Sequence, residues 1–192
     1  MILDERHVKV SHPIPISGTG DELSSSYQIK VSLEALIAIQ MGEPDTGFEV
    51  SLESNRESYA ENEPVFLTIT STRSGFLTIF SIENDSLTLL FPNNLSRNNT
   101  IKADAPIYFP PTTAYKLTLQ TLPNQKKSYI TFVAVVSKDK VLFSSIEETK
   151  FEGNYIKLKQ AMLTHYAKWL YKIPIDRRSS DAKILTIFKK KN

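Results

Sequence analysis

The chain of 192 residues has no cysteine. That absence excludes disulfides, cysteine-ligated zinc and thiol catalysis together. It fits a reducing compartment and equally a periplasmic protein without bridges, so cytoplasm and cell envelope both stay open. Glycine is scarce, six in all, and none of it forms a phosphate-cradling loop or a Gly-x-Ser-x-Gly nucleophile elbow. Histidine is limited to His7, His12 and His165. The first two stand in a Pro-containing loop rather than on one helical face, so no metal site is expected. Charge of one sign is also missing. A formal net charge of +2 gives no reason to expect nucleic acid or an anionic membrane as partner. No apolar run approaches the roughly 20 residues of a membrane helix. Asp4, Glu5 and Arg6 interrupt any apolar stretch behind Met1, so no secretory leader is read there, which says little about the parent gene. No cofactor is implied.

Short alternating segments are present throughout, separated by Pro, Asn and Gly. Residues 1–45 read as an N-terminal segment, with the end of a preceding small domain as one reading of it. Its one long apolar element, Tyr27 to Ile39, begins with strand alternation and is read as strand. MGEPDT at 41–46 is the linker candidate. From Gly47 the alternation becomes regular: Phe48, Val50 and Leu52, then Val65, Leu67 and Ile69. The polar stretch between them reads as a loop. Gly75 to Ile82 and Leu87 to Phe91 form a hairpin around Asn84-Asp85, residues that tolerate the positive φ of tight turns. A polar, Asn-rich loop follows, from Pro92 to Pro106. Ile107 to Phe109 and Tyr115 to Leu119 are short strands. Ser128 to Val136 is apolar on both faces, as a fully covered strand would be, and Lys138 to Lys140 turns into Val141 to Ser144. Strands at this spacing predict a mainly β fold, an antiparallel β-sandwich. The period then changes. Asn154 to Tyr171 places Tyr155, Leu158, Met162, His165, Trp169 and Leu170 at helical spacing, with Asn154 as N-cap and a stop before Pro174. One C-terminal amphipathic helix and a closing strand, Ala182 to Phe188, therefore complete a domain spanning 46–192.

Several residues are worth testing as sites. Asn93, Asn94, Asn98 and Asn99 offer paired donors and acceptors, which suit a sugar or a peptide backbone, although asparagine also caps turns. Tyr108, Phe109 and Tyr115 could add an aromatic platform, or belong to the core. Trp169, Arg177 and Arg178 are the candidate partner contacts, with core anchoring and a solvated loop as the plainer readings. His165 is expected to be partly buried and hydrogen-bonded. No catalytic or metal-ligating set emerges.

Tyr59, Glu61, Glu63 and Val65, then Gly75-Phe76-Leu77-Thr78-Ile79-Phe80, then Leu90-Phe91-Pro92-Asn93, together resemble a bacterial domain family of unknown function, DUF4384. Ile101-Lys102-Ala103, Phe109-Pro110 and the apolar strand Thr131 to Ser137 extend the resemblance over about 48–145. One departure is Asn62-Glu63, where the family usually has Gly-Glu. Asparagine also visits the left-handed region, so the turn is expected to survive. The resemblance implies an accessory module, found beside lipoprotein-like envelope domains and elsewhere beside protease or kinase domains, with no catalytic residues to carry over. The function expected from it is a non-catalytic interaction or assembly module of a bacterial cell envelope, periplasmic or outer-membrane-associated, acting on a protein partner. The alternative is a glycan- or peptide-binding module using loop 92–106. A hydrolase has no supporting constellation.

Overall fold

The computed structural model describes residues 3–6, 35–38, 41–83, 86–111, 116–143, 150–152, 155–158 and 161–190. The chain divides into two compact units, Met1–Gln40 and Met41–Asn192. In the first unit, strands β1 (Leu3–Arg6) and β2 (Ala35–Ala38) pair antiparallel. The first half of the apolar element at Tyr27 and the loop carrying His7 and His12 lie outside the described residues.

The second unit begins with β3 (Val50–Ser54), β4 (Ser58–Ala60), β5 (Pro64–Val65) and β6 (Leu67–Ser71). The hairpin strands follow as β7 (Gly75–Glu83) and β8 (Ser86–Phe91), their turn at Asn84-Asp85 lying outside the described residues. Then come β9 (Thr100–Ile101), β10 (Ile107–Phe109), β11 (Leu117–Thr118), β12 (Lys127–Ser137), β13 (Lys150–Glu152) and β14 (Tyr155–Leu158). Helix α1 (Ala161–Lys172), a 3-10 turn (Ile175–Arg177) and β15 (Arg178–Phe188) complete the chain. The large sheet runs β13-β14-β8-β7-β12-β15-β4, with β9 also on β7. A three-stranded sheet β10-β6-β3 and a pair β11-β5 lie apart from it. The fold is mainly β and antiparallel, as expected, with one exception: β4 runs parallel to β15.

Strand alternation sorts the side chains into two cores. In β12, Ile130, Phe132, Ala134 and Val136 enter one core, which they share with Leu52, Leu67 and Ile69 of the small sheet. Val133 and Val135, on the opposite face, join Phe80, Leu87, Leu89, Trp169 and Ile173. A strand apolar on both faces is what a sheet covered on both sides requires. The order is therefore small sheet, large sheet, helix. In β8 the register slips between Ile79 and Phe80 of β7, so that β8 carries one extra residue, Leu90. This bulge lets the consecutive Leu90 and Phe91 both enter the first core.

Four local expectations change. The polar loop before Val65 contains β4, whose Tyr59 is buried and hydrogen-bonded through its hydroxyl to Asn55 Oδ1 at 2.6 Å. Residues 138–143 form no strand. Instead, Val141 and Phe143 pack into the second core. The helix starts seven residues later than Asn154, which itself lies outside the described residues. Tyr155–Leu158 is a strand on β8, because four residues fit a period of two as well as one of 3.6. The buried stripe of α1 is accordingly Leu163, Tyr166, Trp169, Leu170 and on to Ile173, and His165 is exposed rather than buried.

The turn that departs from the family pattern is well defined. Asn62 has φ 65°, Glu63 N donates to Ala60 O at 3.1 Å, and the Glu63 carboxylate accepts from Ala60 N at 2.9 Å. Asn62→Gly is therefore expected to be neutral or slightly stabilising. Asn62→Ala should cost about 1 kcal/mol, since a Cβ penalises the left-handed region. Urea midpoints of the two variants check this, and equal midpoints would contradict it.

Candidate functional site

The hairpin strand β8 ends at Phe91-Pro92, a cis peptide bond, and the chain then leaves the sheet before returning as β9 beside Gly75 and Phe76. The intervening loop is wound on its own asparagines. Asn93 Oδ1 accepts from Leu95 N and Ser96 N, both at 2.9 Å, and its Nδ2 donates to Leu90 O, the bulge carbonyl, at 2.8 Å. Asn98 Oδ1 accepts from Thr100 N and Oγ1. Asn99 is 7% exposed. Its carbonyl accepts from Leu77 N at 2.7 Å and its Nδ2 donates to Leu77 O at 3.0 Å, so it stands in for a strand residue against β7. Asn94 is exposed. Of the four asparagines proposed from sequence, Asn93 and Asn98 spend their amides mainly on the loop's own backbone. Asparagine's capacity for turns accounts for much of the loop's composition.

An open groove of about 330 Å³ lies beside this loop, lined by Leu89, Pro92, Asn93, Asn94, Arg97, Asn99, Lys140, Leu142 and Phe143. It brings together three of the four asparagines, Asn98 being absent from the lining. Its second wall is the segment after β12, and that wall is where the other sequence-predicted residues act. Arg177 forks onto the Asp139 carboxylate, with Nη2 to Oδ1 at 2.7 Å and Nε to Oδ2. This hydrogen-bonded pair holds the Asp139 carboxyl below its ordinary pKa and raises that of Arg177. Lys138 N donates to Arg177 O at 2.8 Å. Trp169 Nε1 donates to Val141 O at 3.3 Å. Its indole packs edge-on against Phe143 at 5.6 Å and Phe80 at 5.5 Å.

Trp169, a candidate partner contact with core anchoring as the plainer reading, is 7% exposed, its ring taken by the chain's own core as that plainer reading has it. Arg178 Nε donates to Ile173 O at 3.0 Å, and its guanidinium lies 5.7 Å from the Tyr171 ring, with burial pulling its pKa down. These three residues position the wall and the helix end rather than offering free groups. Phe109 is core and Tyr108 is 65% exposed, while Tyr115 lies outside the described residues. The segment 41–46, read as a linker, is tied to this unit: Ile175 N donates to Met41 O, and Lys138 Nζ meets Asp45 Oδ2 at 2.8 Å.

Residues 58–140 match the family model described as a domain of unknown function, DUF4384. That segment is similar to DUF4384 domains. No curated protein and no solved structure matches the chain. The match is shorter at both ends than the resemblance read from sequence. It contains β7, β8 and β12, but not β15, which pairs with β12 along eleven register positions from Lys127↔Phe188 to Ser137↔Arg178. The DUF4384 segment thus shares its sheet with strands from outside it. The groove straddles the same limit: Arg97 and Lys140 belong to the DUF4384 segment, Leu142 and Phe143 do not.

Arg97 and Lys140 were not singled out from sequence. Isolated basic residues form no pattern, and only the fold brings these two to one groove. Neither forms an ion pair with a described residue, and no carboxylate is among the described residues that line the groove. Leu142 is 65% exposed beside them. Among the described residues, no three His, Asp or Glu side chains come together as a metal site, and no helix is long and apolar enough to cross a membrane.

Proposed function

We propose that the unit at 41–192 is a non-catalytic interaction module that holds a peptide segment of a partner protein in the groove between residues 92–99 and 140–143. The observation carrying this is the groove itself, in which Arg97 and Lys140, neither ion-paired with a described residue, and the exposed Leu142 stand beside a loop wound on its own hydrogen bonds. A volume of about 330 Å³ lies at the small end of ligand pockets, which run from about 300 to 1,000 Å³. Among the described residues the lining has no histidine, serine or carboxylate, which favours binding over acid–base or nucleophilic chemistry. A glycan is less favoured, because the Asn93 and Asn98 amides that would meet sugar hydroxyls already serve the loop. Placement in a bacterial envelope rests on the family resemblance alone.

The test is selection of a displayed random peptide library on the full chain, with each enriched peptide re-measured against Leu142→Glu. Leu142 is exposed, so its replacement spares the fold. Enriched peptides that lose affinity for the variant support the reading. No enrichment, or binding indifferent to position 142, overturns it.

A further inference from the structure

Asn99 supplies a second, independent observation in the groove. It is 7% exposed and lines the groove. Its Nδ2 is fixed by donation to the Leu77 carbonyl at 3.0 Å, a contact that also settles which end of the amide is the NH2. Its Oδ1 accepts no hydrogen bond from any described residue. The Oδ1 of this largely buried residue is therefore open to a hydrogen-bond donor in the groove, and a peptide N–H is one such donor. Arg97 and Lys140 ask for an anion. Leu142, exposed beside the Phe143 edge of the aromatic cluster, asks for an apolar group. A sugar acid satisfies the first two but not the third, and a simple aliphatic acid lacks the donor.

Resting on the peptide-groove reading above, we propose that the occupant is an acidic–apolar peptide segment. Its carboxylate side chain meets Arg97 and Lys140. An adjacent apolar side chain covers Leu142 and Phe143. A backbone N–H donates to Asn99 Oδ1. Specificity then resides in the carboxylate, because a neutral side chain in its place leaves both cations without a counter-charge.

The experiment is fluorescence anisotropy of the full chain with dye-labelled Gly-Asp-Leu-Phe-Gly, blocked at both ends. Gly-Asn-Leu-Phe-Gly, Gly-Lys-Leu-Phe-Gly and N-acetylmuramic acid are the comparison probes. The Asp peptide should bind about tenfold or more tightly than the Asn peptide, and its affinity should fall as salt is raised. Arg97→Gln with Lys140→Gln should remove the Asp-over-Asn preference without moving the melting temperature, since neither side chain supports the fold. Arg97→Glu with Lys140→Glu should transfer the preference to the Lys peptide. Asp and Asn peptides binding alike, a preference that survives the double Gln variant, or competition by N-acetylmuramic acid as effective as by peptide each overturns the proposal. If the library selection enriches neutral peptides that depend on Leu142, the acidic segment is refuted while the groove remains a peptide site. If nothing depends on Leu142, both fall.

Discussion

Phe80→Ala is expected to lower stability by about 3–5 kcal/mol, the range for emptying a well-packed aromatic site. Phe80 is fully buried and is the point at which the large sheet, the helix and the 141–143 segment meet. Its ring makes edge-on contacts with Tyr166 at 5.0 Å, Phe143 at 5.1 Å and Trp169 at 5.5 Å, and such pairs add about 0.5–1.5 kcal/mol each beyond burial. Tyr166 and Trp169 are held on helix α1 and Phe143 on the 141–143 segment, so filling the space requires one of these backbones to move and the cavity stays largely open. Against a typical total of about 5–15 kcal/mol, the loss leaves the unit marginal. Urea denaturation followed by fluorescence is the measurement. Trp169 is the only tryptophan and sits in the same cluster, so its emission reports this core directly. Phe80→Leu, which keeps most of the volume, should cost under about 1.5 kcal/mol. A Phe80→Ala loss below about 1 kcal/mol would mean that the helix does not depend on the cluster.

Elements with several alternating residues were legible in the sequence. Phe48, Val50 and Leu52 announce β3, Val65, Leu67 and Ile69 announce β5 and β6, and the doubly apolar run at 128–136 announces the central strand. What escaped had too little sequence to carry a period. β9 is two residues in a polar loop, and β4 offers Tyr59 alone. The start of β15 is Arg-Ser-Ser-Asp, polar where the strand passes the end of the helix. Its partners are chosen by the sheet, not by local propensity. Asp181 there accepts from Leu52 N of the small sheet at 2.8 Å, a long-range contact that no local pattern encodes.

The candidate site was legible as composition and not as geometry. A run of asparagines marks either a binding loop or a self-capping one, and only the hydrogen bonds separate these. Asn93 and Asn98 turned inward to the backbone, and Asn99 did so with one end only. The same holds for the aromatic and basic residues at the helix end. Trp169 and Arg177 hold Val141 and Asp139, and thereby the wall on which Lys140 and Leu142 stand.

Gly75→Ala should destabilise the unit by about 1–3 kcal/mol, although it adds a single methyl. A Cβ at Gly75 would lie 2.5 Å from Ser137 O, 3.0 Å from Val136 Cγ1 and 3.1 Å from Ser137 C. The obstacle is mostly backbone, at the end of β12, and that backbone has little room to retreat. Ser137 is buried, its hydroxyl donates to Asp139 O at 2.7 Å, and Lys138 N is held by Arg177 O. On its other side Gly75 is paired with Ile101 of β9, so β7 cannot simply shift away. The glycine that opens the DUF4384 strand motif is thus required by close approach of two strands rather than by an unusual φ. Gly47→Ala is the matched control. Its nearest neighbour is the tip of the Arg73 side chain at 3.1 Å, which can move, so that variant should stay within about 0.5 kcal/mol of the parent. Denaturation midpoints that fall equally for both would show that glycine entropy, and not the Ser137 carbonyl, sets the cost. Only the Gly75 variant should also loosen the β12 end from which the groove wall at 140–143 continues. Protection of the Lys138 and Leu77 amides from hydrogen exchange should drop in it and not in the control.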